Sequence, residues 1–243
     1  MYQPRTYRHW IKDKDLVSFN VTVKETDLYL RAQRNLEEEA HKAILKYRTP
    51  LEKYIELHPL FLTTLEPFPV AEDAPKMVRE MAEAAEKAGV GPMAAVAGAI
   101  AEGVGRELMK FSEEVIVENG GDIFLKTLKK RLVGVYAGES PFTGKIALQI
   151  QPEQTPLGIC TSSGTVGPSL SFGSADAVIV LSPSTALADA AATAIGNLVK
   201  ESSDIPKGIE FARGIAGLKG VLIIKEDKLG VWGEVKIFTP EER

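Results

Sequence analysis

The sequence predicts an α+β fold, a mixed or antiparallel sheet packed with helices, in one domain spanning residues 1–243. Three observations predict it. Apolar and polar residues alternate in hairpin-like pairs near both ends of the chain. Between them lie amphipathic and Ala-rich segments at helical spacing. Helices and hairpins also follow one another without the strict strand–helix–strand order of a parallel sheet, and no sequence repeat is present. The 243 residues are within the range of one large domain, and the 44% apolar and 26% charged fractions match a globular chain with a sizeable core.

Val17, Phe19, Val21 and Val23 alternate with polar residues, and residues 27–33 form the second arm of an opening hairpin. Asn35 is placed to cap a helix whose first turn carries Glu37, Glu38 and Glu39 at the positive end of its dipole, with Leu36, Ala40, Ile44 and Tyr47 as its stripe. Pro50 interrupts that helix. Thr49, Pro50 and Glu52 then restart a second piece that reaches about His58. The stretch 58–75, punctuated by prolines, reads as loop. A helix opens around Asp73 and Pro75 and closes at Gly89. Residues 93–111 form a helix with so little side-chain bulk, at Gly98, Gly103 and Gly105 among others, that something must approach its backbone closely. Short strands follow at 115–117, 123–125, 132–136 and 145–151. The polar, glycine-rich residues 160–174 read as a loop, 177–181 as a buried strand and 184–200 as a small-residue helix. A short helix near 209–213 and a hairpin of 220–225 with 231–238 complete the chain.

Composition narrows the function. The net charge of −4 is mild and Lys and Arg are scattered among Asp and Glu, so neither nucleic acid nor an anionic membrane is the expected partner. No secretory signal and no membrane span is legible, so the expected location is cytoplasmic. Cys160 is the single cysteine and His9, His41 and His58 are far apart, which leaves no disulfide and no zinc-type spacing. A bound metal is then a hard cation held by oxygen.

Four segments carry chemistry. In VIVENGGDIFL, Gly120 and Gly121 precede Asp122; paired glycines allow positive φ and close approach to a ligand, and they equally mark an ordinary hairpin. In AVIVLSPSTALADAAATAIGN, Asp189 and Thr193 stand four residues apart, so one helix face presents a carboxylate and a hydroxyl to a cation such as magnesium. A purely structural Asp and Thr is the alternative. GPMAAVAGAIAEGVGREL is the small-residue helix, which serves either packing or a ligand. The run Thr161, Ser162, Ser163, Gly164, Thr165 and Gly167 offers hydroxyls and backbone N–H groups to a phosphate or carboxylate, without the lysine of a P-loop. Cys160 at its edge is a weak candidate nucleophile or sulfur carrier, with a small buried hydrophobe as the alternative.

Over residues 89–200 the first three of these segments together resemble the ApbE-like superfamily of flavin transferases, whose members move the FMN part of FAD onto a protein threonine with a bound divalent cation. The resemblance implies an ApbE-like fold, Asp189 and Thr193 as the metal-binding pair with magnesium as the cation, and FAD or FMN as organic cofactor. It also has departures. The family's lysine falls on Ala95, its aromatic on Ala97 and its downstream aspartate near Ile100; its His-x-x-Asp-Pro element falls on 167–175, where no histidine stands. Such departures fit a cytoplasmic branch lacking the lipoprotein signal, associated through family context with assimilation of sulfide into homocysteine. The expected function is action on a small anionic metabolite with a bound divalent cation, partner proteins supplying sulfur or electrons because one cysteine cannot hold a cluster. FAD-dependent FMN transfer and non-catalytic binding of flavin or another small ligand are the alternatives.

Overall fold

The computed structural model describes residues 15–165 and 172–239. The opening hairpin is β1 (Val17–Val23) and β2 (Thr26–Ala32), and it is followed by the helices α1 (Glu37–Leu57), α2 (Leu60–Thr63), α3 (Lys76–Ala88) and α4 (Val96–Leu108). Next come β3 (Val115–Asn119), β4 (Asp122–Lys126), β5 (Arg131–Gly134), β6 (Ala147–Ile150), β7 (Leu157–Ser162) and β8 (Ala177–Ser182). The helices α5 (Thr185–Leu198) and α6 (Ile205–Gly214) precede β9 (Gly220–Lys225), β10 (Lys228–Gly233) and β11 (Ile237–Phe238).

Eight strands form one sheet in the order β1-β2-β3-β4-β7-β8-β9-β10, and three form a second in the order β11-β6-β5. Every described pairing is antiparallel, which resolves the expectation of a mixed or antiparallel sheet. The helices cover one face of the large sheet and the small sheet covers the other. Alternation along β8 shows the division: Val178 and Val180 enter the helix-side core, while Ala177, Ile179 and Leu181 enter the core shared with Leu148 and Ile150 of β6. A strand covered on both faces needs apolar residues throughout, and for that reason 177–181 reads as a continuous apolar run. Among the described residues no single helix is long and apolar enough to cross a membrane.

Four expectations are corrected. Pro50 lies inside α1 and does not end it. A mid-helix proline costs about 3 kcal/mol, and here both flanks are anchored. Ala40, Ala43, Ile44 and Leu51 are buried, and the Arg48 guanidinium bonds Glu25, Glu52 and Thr26 at 2.6–2.8 Å. The stretch 58–75 contains the single-turn helix α2, seated by Phe61. Residues 160–162 belong to β7, in the middle of the large sheet, and are not loop. The final arm splits into β10 and β11, which lie in different sheets.

The capping signals at Gly89 and in front of α5 hold: Gly89 ends α3 with φ of 71°, and Ser184 Oγ accepts the Leu187 N–H at 3.3 Å at the start of α5. Asn35 Oδ1 accepts the Glu37 N–H at 2.9 Å.

Close approach to α4 is also borne out. A Cβ on Gly98 would meet the Thr185 carbonyl oxygen at 2.4 Å, one on Gly103 the Tyr47 ring at 3.0 Å, and one on Gly105 Cδ1 of Phe124 at 2.1 Å. Phe124 is fully buried beneath α4, so its ring has no free volume to retreat into. Gly105→Ala is therefore expected to destabilise the protein by about 1–3 kcal/mol through overpacking, read as a lower urea midpoint with unchanged m-value. An unchanged midpoint would show that the ring relocates at no cost.

Candidate functional site

The β3–β4 hairpin, the first turn of α4, the outer face of α5 and the end of β7 converge at one place. Gly120 and Gly121 make the hairpin turn with φ of 69° and 113°, a conformation that other residues rarely adopt. Glu118 holds the turn by accepting the Gly121 N–H at 3.0 Å, and Asn119 pairs with Asp122 across it. Asp122 is thereby placed, buried, at the first position of β4, where its Oδ1 accepts the Thr161 N–H of β7 at 3.3 Å.

A single peptide group joins this hairpin to α5. Asn119 Nδ2 donates to the Ala97 carbonyl at 3.1 Å, and the N–H of Gly98 in the same peptide donates to Asp189 Oδ2 at 2.8 Å. The close seating of Gly98 against Thr185 and the Asp189 Cβ makes that bond geometrically available, since any larger residue would hold α4 away from α5. At the start of α5, the Glu102 carboxylate of α4 accepts the Thr185 N–H at 2.7 Å while paired with Arg106 at 2.6 Å. The two helices are thus cross-linked by a carboxylate in each direction.

The site's electrostatics follow from this placement. Burial, followed by the neighbouring Asp122 carboxylate, pushes Asp189 well above the ordinary carboxylate range, against the lowering effect of the N–H groups of Gly98 and Ala97. Thr193, one turn along α5, is half-buried on the same face. One turn further along, a Cβ on Gly196 would lie 3.2 Å from Ser162 Oγ, which places that hydroxyl against the same face of α5. The structure therefore gathers Asp189, Thr193, Asp122, Thr161 and Ser162, from segments that the sequence separates by up to 71 positions.

The remaining residues of the anion-binding expectation are spread more widely. Ser163 Oγ accepts the Thr165 N–H at 3.1 Å, Thr165 Oγ1 reaches Asp176 at 3.4 Å, and the Gly164 N–H donates to the Ala175 carbonyl at 2.9 Å. These bonds tie the end of β7 to the chain entering β8. Gly167 lies outside the described residues, as does the whole of 166–171. Cys160 is fully buried on the helix side of β7, and its thiol is 3.4 Å from the Thr185 carbonyl. Burial, with the carboxylates of Asp122 and Asp189, pushes that thiol well above its usual range, the environment of a packed and protonated cysteine.

Among the described residues no three His, Cys, Asp or Glu side chains converge as a metal cluster. A cation held here would rest on the two carboxylates and on neutral oxygens, the donor set that magnesium accepts alongside retained water. Asn119, Glu118 and Glu102 are the positioning residues that sequence reading missed. The available signal was the polar pair Asn119 and Asp122 flanking the glycines, together with the i,i+4 pair of Glu102 and Arg106.

A family model described as AbpE bacteria matches residues 8–209. The UPF0280 protein of Methanococcus vannielii is 43% identical over 235 residues, covering 94% of this chain and 95% of that protein. The UPF0280 protein of Methanocaldococcus jannaschii is 44% identical over 221 residues, covering 88% and 90%. Among solved structures, the apo form of the flavinyl transferase ApbE from Pseudomonas stutzeri superposes with a TM-score of 0.54 at 14% identity, covering 89% of this chain and 93% of that one. The ApbE protein from Thermotoga maritima gives 0.52 at 12% identity, covering 90% and 97%. Likeness at such identities is likeness of fold, and function has to be argued from the site.

Proposed function

The chain belongs to the AbpE bacteria family, and from that premise we propose that it binds a divalent cation, magnesium first, and acts with it on a small anionic metabolite. The observation that carries this reading is the convergence of Asp122 and Asp189, two carboxylates from different elements whose like charges repel: the first accepts the Thr161 N–H, the second the Gly98 N–H, and Asn119, which pairs with Asp122 across the hairpin, bonds the carbonyl of that same Gly98 peptide. A divalent cation relieves that repulsion and gives both charged forms a reason to persist. Thr193 adds a neutral oxygen on the Asp189 face, and Thr161 and Ser162 line the adjoining end of β7. When bound, the cation supplies positive charge that neutralises and orients an anionic substrate. The chain's own part is to hold the geometry: Gly98 fixes Asp189 Oδ2, and the Thr161 N–H fixes Asp122 Oδ1.

A flavin fits the residues less well. Ala95 and Ala97 stand where the resembling family has a lysine and an aromatic residue, and Ala95 is fully buried. For the reaction we propose sulfur insertion within sulfide assimilation into homocysteine, with partner proteins as the source of the sulfur and of the reducing electrons that thiol formation consumes. Growth of a homocysteine auxotroph is expected only when this chain and its partner genes are supplied together, and it should be lost with Asp189→Asn. Growth without the chain, or undiminished growth with the variant, counts against it.

The cation is tested directly by thermal melts with Mg, Mn and Ca. A ligand at about 100 times its dissociation constant stabilises the fold by about 2.7 kcal/mol. Asp189→Asn should remove most of that gain and Thr193→Val part of it, because a neutral donor contributes less than a charge. Ser184→Ala, which removes the α5 cap, is expected to lower baseline stability by about 1 kcal/mol and to leave the cation shift intact. Absence of any shift in the wild type with all three cations would sink the reading.

A further inference from the structure

On the cation reading of the site, we propose that Asn119 is a positioning residue: through the Ala97–Gly98 peptide it fixes where the Asp189 carboxylate stands relative to Asp122, and so sets the affinity for the cation. Asn119 is the last residue of β3, 9% exposed, and stands opposite Asp122 in the hairpin register. Its side chain leaves the hairpin. Nδ2 donates to the Ala97 carbonyl of α4 at 3.1 Å.

The peptide that receives this bond is not an ordinary acceptor. Val96, Ala97 and Gly98 open α4, and the Ala95 N-cap supplies no side-chain bond, so the Gly98 N–H is one of the donors that a helix cannot satisfy itself. Asp189 supplies the acceptor from α5, at 2.8 Å. The Ala97 carbonyl and the Gly98 N–H belong to one planar unit, and a bond at each end fixes the tilt of that plane. Helix geometry already gives the Ala97 carbonyl a partner four residues on, so Asn119 makes the second bond to that oxygen, on its other lone pair. A donor on the carbonyl also polarises the amide and strengthens the N–H at its far end, by about 10–30%.

One path therefore joins the two carboxylates: Asp122 faces Asn119, Asn119 holds Ala97, and Gly98 holds Asp189. The path has little slack. A Cβ on Gly98 would lie 2.4 Å from the Thr185 carbonyl oxygen and 2.8 Å from the Asp189 Cβ, so α4 meets α5 at backbone distance and a tilt of the peptide is passed on to the carboxylate. A small divalent cation demands near-octahedral placement of its ligands and tolerates such a displacement poorly. Residues that orient a metal ligand from one bond away are typically worth about 10- to 100-fold in affinity.

Manganese titration of the full chain, followed by the paramagnetic resonance of the free ion well below the melting temperature, provides the test. Asn119→Leu keeps the volume and removes the donor, and is expected to raise the manganese dissociation constant about 10- to 100-fold. The ion that still binds should carry more water, seen as faster water-proton relaxation per bound manganese, because a displaced carboxylate leaves a position for solvent. Asn119→Ser leaves room for a bridging water and should show the same changes to a smaller degree; it carries the test if the leucine variant does not fold. Ser184→Ala lowers stability without touching the peptide and is expected to keep the wild-type constant and relaxation. Wild-type affinity in the Asn119 variants, a loss that Ser184→Ala shares, or weaker binding with unchanged relaxation overturns the proposal and leaves the cation reading standing. A wild type that binds no manganese overturns both.

Discussion

Arg131→Met is expected to destabilise the protein by about 3–5 kcal/mol, the range for removing one partner of a buried ion pair. Arg131 and Glu114 are each 4% exposed and their charged groups stand 2.7 Å apart. Thr127 donates to Glu114 at 2.6 Å, and Arg131 extends the network to both Asp15 oxygens at 2.8 and 3.0 Å. Removing the guanidinium leaves the buried Glu114 charge without its counterion, held by the Thr127 hydroxyl and the Leu128 N–H. The pair stands where β3 and β5 bring the large and small sheets together, so the cost falls on the contact between layers.

This prediction carries a pH dependence with a definite sign. Burial raises Glu114, but hydrogen bonds from Thr127 and Arg131 outweigh it and hold the carboxyl below its ordinary value of 4.5. A folded-state value below the unfolded one means that stability is fully present above about 4.5 and falls as pH drops through the folded value. Glu107, held at about 2 by Lys110 and Lys46, acts in the same direction, with a smaller share because it is more exposed. In Arg131→Met the sign at Glu114 reverses, since a stranded carboxylate is protonated more easily when folded. The gap between variant and wild type should therefore shrink from pH 7 to pH 4, measured by urea melts. A gap below about 1 kcal/mol at pH 7, or one that widens in acid, would count against the network.

Legibility in the sequence followed the range of the interaction responsible. Gly89 and Ser184 act within one helical turn and could be read in place. The strand 177–181 was legible because burial on both faces demands an unbroken apolar run. β7 was hidden for the opposite reason. Gly158 leaves room for the Thr185 backbone, a Cβ there lying 2.5 Å from Thr185 Cα, and Thr161 and Ser162 turn polar as the strand enters the site. Local composition therefore resembled a loop. Pro50 misled because its local cost is offset by Arg48 bonding to the β1–β2 turn, more than 20 residues away. Asp189 and Thr193 could be chosen from their spacing alone. What raises Asp189 is first its burial between packed helices and then the charge of Asp122, 67 positions earlier, and no local pattern shows either. The Ala97–Gly98 peptide clamp is the same case, its partners 22 and 91 positions away.

Mixed with FAD and magnesium, the protein is expected to label a threonine acceptor at least about 100-fold more slowly than an ApbE enzyme with the complete motif. Loss of a positioned acid or base alone is worth about 100- to 10,000-fold, and 167–175 contains no histidine. The entry into α4, from Ala95 through its first turn, adds a second deficit. Ala95 is fully buried, and the carbonyl of Ala97 is already engaged by Asn119, so this turn presents a methyl group and an occupied backbone acceptor where a flavin needs stacking and charge. Ala95→Lys is not expected to restore transfer, because the new ammonium would begin inside the core and destabilise the fold before it could reach a ligand. A cooperative urea transition in the same sample shows that the protein is folded, which separates absent chemistry from absent structure. Threonine labelling at rates comparable with a complete enzyme, together with flavin absorbance retained through purification, would return the protein to flavin transfer and make the two alanines compatible with it.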